Sequence, residues 1–259
     1  VIVVVVLLDM GATGMLGGRM IAAVVMAAAA AILAAPFLRR GHWDRDLFRR
    51  AALLAVPLVP HQLTAFVLSA ADRFILEGYR DTAEVGVYSL AMTLGLAMAM
   101  ITRALMTAYA PLFYKFARQD AQARLARRTE QIMGLMALAA ISGILISYDV
   151  IDLLMPVSYG GARTLTPIVI TGYFFHGLFS LFHLGLMQAG RSGMLSATTI
   201  FAALLNVALN FWLIPTHGAL GAAVATVASF AAEAGLIWVM AQRTYPLPLS
   251  RVRVALVCG

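Results

Sequence analysis

Arg103 is the most demanding side chain in this sequence. It stands inside the apolar stretch Val85–Leu112, where an arginine costs about 2.5–3.5 kcal/mol unless a partner, water or a route to the surface relieves it. Two readings stand. One is a cation facing an interior cavity, where the fixed donor fork of a guanidinium suits a phosphate group. The other is a side chain snorkelling to a nearby surface. Glu233 lies deeper, ten residues before Arg243, or roughly 15 Å of helix. It is the best-placed carboxyl to carry a coupling ion, against a plain hydrogen bond to a neighbouring helix. Asn206 and Asn210, four apart, share one helical face and suit either interhelical hydrogen bonds or contacts to sugar hydroxyls. Asp72 and Arg73 close the stretch Ala51–Leu76. They read as a pair at its outer end, lining a mouth or capping the helix. His176 and His183 also share a face, among Phe174, Phe175, Phe179 and Phe182. Zinc wants closer ligand spacing with Cys or carboxylate company, so an aromatic stripe is expected there and no metal. The single cysteine, Cys258, excludes an internal disulfide and a multi-cysteine metal site. There is no nucleophile with a paired base, and Gly11, Gly14 and Gly17 follow no strand as a nucleotide loop would require. No cofactor is expected, and no enzyme.

The elements that must position these residues are apolar and long. Seven stretches follow one another: Gly14–Leu38, Ala51–Leu76, Val85–Leu112, Ile132–Met155, Leu165–Gln188, Met194–Ile214 and Ala219–Ala241. At about 1.5 Å per residue each can cross a hydrocarbon core of roughly 30 Å. Lipid offers no water to backbone N–H and C=O groups, so such stretches must be helices. Composition agrees, at 62% hydrophobic and 12% charged, where a soluble domain carries roughly 25% charged residues. The expected fold is an all-α polytopic membrane protein with seven transmembrane helices. No connector is long enough for a separate soluble domain. The longest polar one, Tyr114–Gln131, carries Lys115, Arg118, Arg124, Arg127 and Arg128 with Phe116 and Leu125. It reads as a solvated connector or as a segment lying on anionic lipid.

The net charge of +7 invites a nucleic-acid reading, and its distribution argues against one. With spans alternating in direction, Arg39–Arg50, Tyr114–Gln131, Arg191 and the tail from Arg243 fall on one side and hold fourteen of the nineteen basic residues. The other side has Arg73, Arg80 and Arg163 against Asp9, Asp72, Glu77, Asp81 and Glu84. That asymmetry is the positive-inside pattern and predicts cytoplasmic arginine-rich loops.

Local signals set the ends. Asp81-Thr82-Ala83-Glu84 predicts a capping box opening the third span. Pro57 and Pro60 predict a kink early in the second, with His61 beside it. Gly14 and Gly18 permit close packing in the first. Gly11-Ala12-Thr13-Gly14 and Gly218-Ala219-Leu220-Gly221 sit at equivalent turns six spans apart and hint at a parallel repeat. The first residue is Val1, Val1–Leu8 reads as the end of an earlier span, and Arg251–Cys258 could begin a later one. A fragment cut at both ends is expected.

Val56-Pro57-Leu58-Val59-Pro60, Ala71-Asp72-Arg73-Phe74-Ile75-Leu76 and Val85-Gly86-Val87-Tyr88-Ser89-Leu90-Ala91 together resemble the start of the C-terminal half of bacterial oligosaccharide flippases. These belong to the multidrug/oligosaccharidyl-lipid/polysaccharide exporter superfamily. Leu205-Asn206-Val207-Ala208-Leu209-Asn210, then Pro215 and Gly218-Ala219-Leu220-Gly221-Ala222-Ala223, resemble a later stretch of the same proteins. The resemblance implies a MATE-like two-lobe exporter. Residues 1–38 would end the N-terminal lobe, 39–50 form the cytoplasmic inter-lobe linker, 51–243 the six-helix C-terminal lobe, and 244–259 a tail or the start of a further span. It implies flipping of a polyprenyl diphosphate-linked oligosaccharide in the bacterial inner membrane by alternating access. Partners would be membrane lipid, that cargo and the missing N-terminal lobe of the same chain, with no nucleic acid. Arg103, Asn206 and Asn210 would bind substrate, Arg103 through the diphosphate, and Glu233 would carry a coupling ion. An H⁺- or Na⁺-coupled multidrug exporter of the same fold is the alternative. A membrane enzyme of envelope polysaccharide synthesis is a second, disfavoured by the short outer connectors.

Overall fold

The computed structural model describes residues 11–40, 44–55, 71–119 and 121–249. All regular structure among them is helical. Two compact units divide the chain near Leu53. In the first, α1 (Gly11–Arg40) carries Pro36 inside it and exposes Met20, Ile21, Val24, Val25, Ile32 and Leu33. Apolar side chains around a helix suit lipid or a helical partner. At α2 (Arg45–Ala55), Asp44 Oδ1 accepts from the backbone N–H groups of Asp46 (2.9 Å) and Leu47 (3.0 Å), the expected use of an N-cap aspartate. The linker expected over 39–50 is thus helical at both its ends. Pro57, Pro60 and His61 lie outside the described residues, as do Val1–Leu8 and Cys258.

The second unit holds the end of a helix at residues 71–79 (α3), then α4 (Thr82–Arg118), α5 (Gln122–Leu154), a single 3₁₀ turn at Val157–Tyr159, α6 (Ala162–Gln188) and α7 (Ser192–Thr244). Four of these, α4 to α7, are long and apolar enough to cross a membrane. Each contains one of the expected spans three to five, except α7, which contains both six and seven. A straight helix of that length would reach about 80 Å, more than twice the bilayer core. It breaks at Gly218, whose φ of 55° and ψ of −134° place it where a side chain is strained. The arms then run back along one another. A Cβ on Gly221 would meet the Leu213 carbonyl oxygen at 2.5 Å, and further along Ala203 packs with Phe230. Helices of this length and apolarity, following one another in the chain, fit a polytopic membrane protein.

Asp81 caps α4 as expected, its carboxylate accepting from the Glu84 N–H at 2.9 Å. The reciprocal half of the box is absent. Glu84 instead reaches across the fold, where Oε1 accepts from the Ala219 N–H at 2.6 Å, just past the Gly218 break. Arg80 Nη2 donates to the Pro215 carbonyl at 3.2 Å. The α3–α4 turn is thereby tied to the turn of α7.

The segment Tyr114–Gln131 is mostly helix and not a polar connector. Helix α4 runs to Arg118 and α5 starts at Gln122, so little chain is left between them. Hydropathy marks only the apolar part of a helix, and both helices extend past it as charged turns. Leu125 is fully buried rather than laid on lipid, and Phe116 packs against the same core. Tyr109 and Thr129 share a hydrogen bond of 2.7 Å between α4 and α5.

Helix α6 is the most buried of the four. Glycines let α4 approach it: a Cβ on Gly95 would stand 2.5 Å from Val169 Cγ1, and one on Gly177 2.9 Å from Thr102 Oγ1. Small residues at such crossings let van der Waals packing hold membrane helices together. One apolar cluster fills the end that carries the basic turns, with Phe113, Leu125, Met136, Leu186 and Ile237. A second fills the Glu84 end, with Leu76, Tyr88, Val169, Ile214 and Ala223.

Candidate functional site

Between the two clusters lies a cavity of about 490 Å³. Helix α4 lines it with Met92, Leu96, Ala99, Thr102, Arg103 and Met106; α6 with Tyr173, His176, Phe179, Ser180 and His183; the arms of α7 with Leu195, Thr199, Thr226, Phe230 and Glu233. A space of this size within a helical bundle, mostly apolar with a few convergent polar groups, is what small-molecule sites look like.

Arg103 sits deep in α4, 15 residues before its end at Arg118, and its side chain is exposed at the cavity. It is thus more than 20 Å of helix from the α4–α5 turn. Glu233 projects from the second arm of α7 and is fully buried. Neither of its carboxylate oxygens has a hydrogen-bond partner. His176 Nδ1 lies 3.5 Å from its Oε2. That distance is an ion-pair contact but too long for a good hydrogen bond. The imidazole contacts two rings, stacked on Phe179 (centroids 5.6 Å apart) and tilted against Phe230 (4.8 Å). His183 also stacks on Phe179, with centroids 6.2 Å apart, and its Nδ1 lies 2.6 Å from the Ser180 carbonyl. The hydroxyls of Ser180, Thr199 and Thr226 bond to carbonyls of their own helices, as such residues do in helix interiors. Thr102 Oγ1 is buried without a partner.

The structure therefore brings together Arg103 and Glu233, from spans three and seven. His176 and His183 join them. The expected aromatic stripe is present, but its histidines face this cavity and one of them meets Glu233. The signal was their seven-residue spacing, which put both on one face.

Asn206 and Asn210 do not line the cavity. Both are fully buried, and Asn210 Nδ2 donates to Asn206 Oδ1 at 2.9 Å, leaving Asn206 Nδ2 and Asn210 Oδ1 without partners. Asp72 and Arg73 lie on α3 near the Glu84 end. Asp72 is fully buried. The Tyr88 hydroxyl of α4 donates to its Oδ2, and the Arg73 backbone N–H donates to its Oδ1 at 2.9 Å. Arg73 is half-buried, its Nε without a hydrogen-bond partner. No group of three or more His, Cys, Asp or Glu side chains poised for a metal ion occurs among the described residues.

No curated protein and no solved structure matches the chain significantly. Residues 1–162 match a family described as polysaccharide biosynthesis protein, a stretch that reaches from α1 to the first turn of α6 and includes Arg103. This match covers more than half of the sequence, and it agrees with the resemblance to polysaccharide flippases carried by the motifs around Asp72 and Val85. The chain belongs to the polysaccharide biosynthesis protein family.

Proposed function

We propose that this chain forms the C-terminal lobe, with the last helix of the preceding lobe, of a two-lobe exporter that flips polyprenyl diphosphate-linked oligosaccharide across the bacterial inner membrane. The observation that carries the reading is the placement of Arg103. It is a permanently charged guanidinium in the middle of an apolar helix, presented to a cavity rather than buried against a partner. Such a cation is costly in a bilayer interior unless it serves an anion or water, and the cargo's diphosphate is an anion that a guanidinium fork can hold. The sugar would occupy the cavity beside the hydroxyls and aromatic rings, and the polyprenyl tail would stay in lipid. The lobes would rock between inward-open and outward-open states with the arginine-rich loops in the cytoplasm, and no bond in the cargo would be made or broken.

A second reading, an ion-coupled exporter of the same fold with another cargo, is favoured by Glu233, a fully buried carboxyl facing the same cavity. Complementation separates the two. The full-length parent is expressed in a bacterium that lacks its own surface-polysaccharide flippase, and surface polymer is assayed with membrane abundance checked. Restored polymer, lost in Arg103→Ala and partly retained in Arg103→Lys, is the expected result. Polymer that survives Arg103→Ala at normal abundance would refute the cationic cavity. No polymer from abundant parent together with dye efflux would favour the second reading.

A further inference from the structure

We propose that α2 is a membrane-surface helix: its apolar face seats in the acyl boundary of the leaflet at which α1 ends, and its arginines bind anionic phospholipid headgroups. The sequence of Arg45–Ala55 is strongly amphipathic. Leu47, Ala51 and Leu54 recur at i, i+4 and i+7 along one helical face, with Phe48 and Ala55 beside them. Arg45 and Arg49, four apart, run along the other, flanked by Asp46 and Arg50. Residues Asp44–Arg49 are all exposed, and Leu47 and Phe48 present 65% and 55% of their surface. Helices shorter than about 12–15 residues are marginal in water even in favourable sequences, and α2 has 11 residues. The cap at Asp44 satisfies two backbone N–H groups but covers no apolar surface. The apolar face of so short a helix calls for a covering surface.

Two observations assign that surface to lipid. The first is position. Helix α1 stays apolar to Leu38 and closes on Arg39 and Arg40, and four residues separate it from Arg45. That much chain reaches at most about 18 Å, so α2 stays near the level where the apolar helix ends. The stretch that follows α2 is apolar again. The second is charge. Residues 39–50 hold five arginines against two aspartates, and Asp44 is engaged as the cap. A helix with an arginine-rich polar face and Leu and Phe opposite lies in the interface plane, its apolar side about 5–10 Å into the headgroup and acyl boundary. Anionic headgroups attract such arginines, and the attraction decays over a Debye length of about 8 Å in physiological salt, so it acts only on residues held at the surface. A second copy of the chain would instead bring the same five arginines up to their own copies. The inference is independent of the cargo and of Arg103.

The test is spin-label accessibility in the full-length protein, with Cys258 and any further cysteine replaced by serine, reconstituted in vesicles. Nitroxides are placed singly by Leu47→Cys and Arg49→Cys, both at exposed positions. Leu54→Cys repeats the apolar-face measurement two turns on, so that local damage at Leu47 does not decide the result. Oxygen concentrates among acyl chains and a nickel chelate stays in water, so their relative effects on each label read its depth. In vesicles containing phosphatidylglycerol, the chelate should relax the labels at 47 and 54 at least about threefold less than the label at 49, as an apolar face in the interface requires. Exchanging phosphatidylglycerol for phosphatidylcholine, or adding Arg45→Gln with Arg50→Gln, should shrink that difference by about half or more. Equal chelate access at 47 and 49 overturns the surface helix. Labels at 47 and 54 shielded from oxygen and chelate alike would mean protein covers the face, and spin–spin broadening would identify that protein as a second copy; either overturns the lipid assignment. A depth difference indifferent to phosphatidylglycerol and to the arginine variants overturns the headgroup recognition. None of these readings involves polysaccharide export, so failure here and failure of the flippase reading are separable.

Discussion

Replacing Gly218 with alanine should cost the fold about 2.5–6 kcal/mol, and the cost should depend on Glu84. Two terms contribute. The backbone at Gly218, φ 55° and ψ −134°, lies where a residue with a Cβ is strained by about 1–3 kcal/mol. The new methyl would also sit 2.0 Å from Glu84 Oε1. The carboxylate end of a side chain can swing away, but only by releasing the Ala219 N–H, and a hydrogen bond to a charged group is worth about 1.5–3 kcal/mol. Glu84→Ala removes the second term in advance, so Gly218→Ala in that background should cost only the strain, about 1–3 kcal/mol. Unfolding of the purified protein in mixed micles of rising SDS fraction reads all four species of this cycle. Gly134→Ala is the control. That glycine lies mid-helix with nothing within 4 Å of an added Cβ, and alanine there should gain up to about 1 kcal/mol. Equal costs of Gly218→Ala with and without Glu84 would refute the account of how this turn is held.

Gly221→Ala should be at least as damaging, because its Cβ would meet the Leu213 carbonyl at 2.5 Å and a backbone oxygen cannot swing aside; the same unfolding assay checks it. Tyr88→Phe should destabilise the protein by about 1–3 kcal/mol, since it strips the buried Asp72 carboxyl of its side-chain donor, and an equal stability would show that another group satisfies Asp72. Asn210→Ala should cost about 1–3 kcal/mol by leaving Asn206 Oδ1 unbonded, while surface polymer per molecule in the membrane stays normal; a selective loss of polymer would return the asparagines to the substrate path. Gly95→Leu should weaken the α4–α6 crossing by about 1–3 kcal/mol through overpacking against Val169 and Tyr173, seen as a lower unfolding midpoint.

The apolar stretches around Arg103, Gly177 and Glu233 were legible because a bilayer leaves the backbone one solution, and a twenty-residue apolar run announces it without reference to any partner. The ends of those helices were less legible. Around Tyr114–Gln131 the charged residues that looked like a connector are helical turns beyond the apolar part. Leu125 there is core, because helix ends in such proteins are set by packing and not by hydropathy. Asp81 was recognisable as a cap, since capping is local. That Glu84 would bond to Ala219, 135 residues away, was not.

The residue types of the site were visible as well: an arginine and a glutamate that an apolar helix does not tolerate without reason. Sequence by itself determined that the chain is an all-helical membrane protein with a basic-turn asymmetry and those costly charges, because composition, length and periodicity are properties of single segments. Only the tertiary structure decided which charges meet. It set Arg103, His176 and Glu233 around one cavity and buried Asp72 against Tyr88. Such pairings depend on how far each helix is rotated and how closely glycines such as Gly95 and Gly177 let its neighbour approach, and neither is written in any one helix.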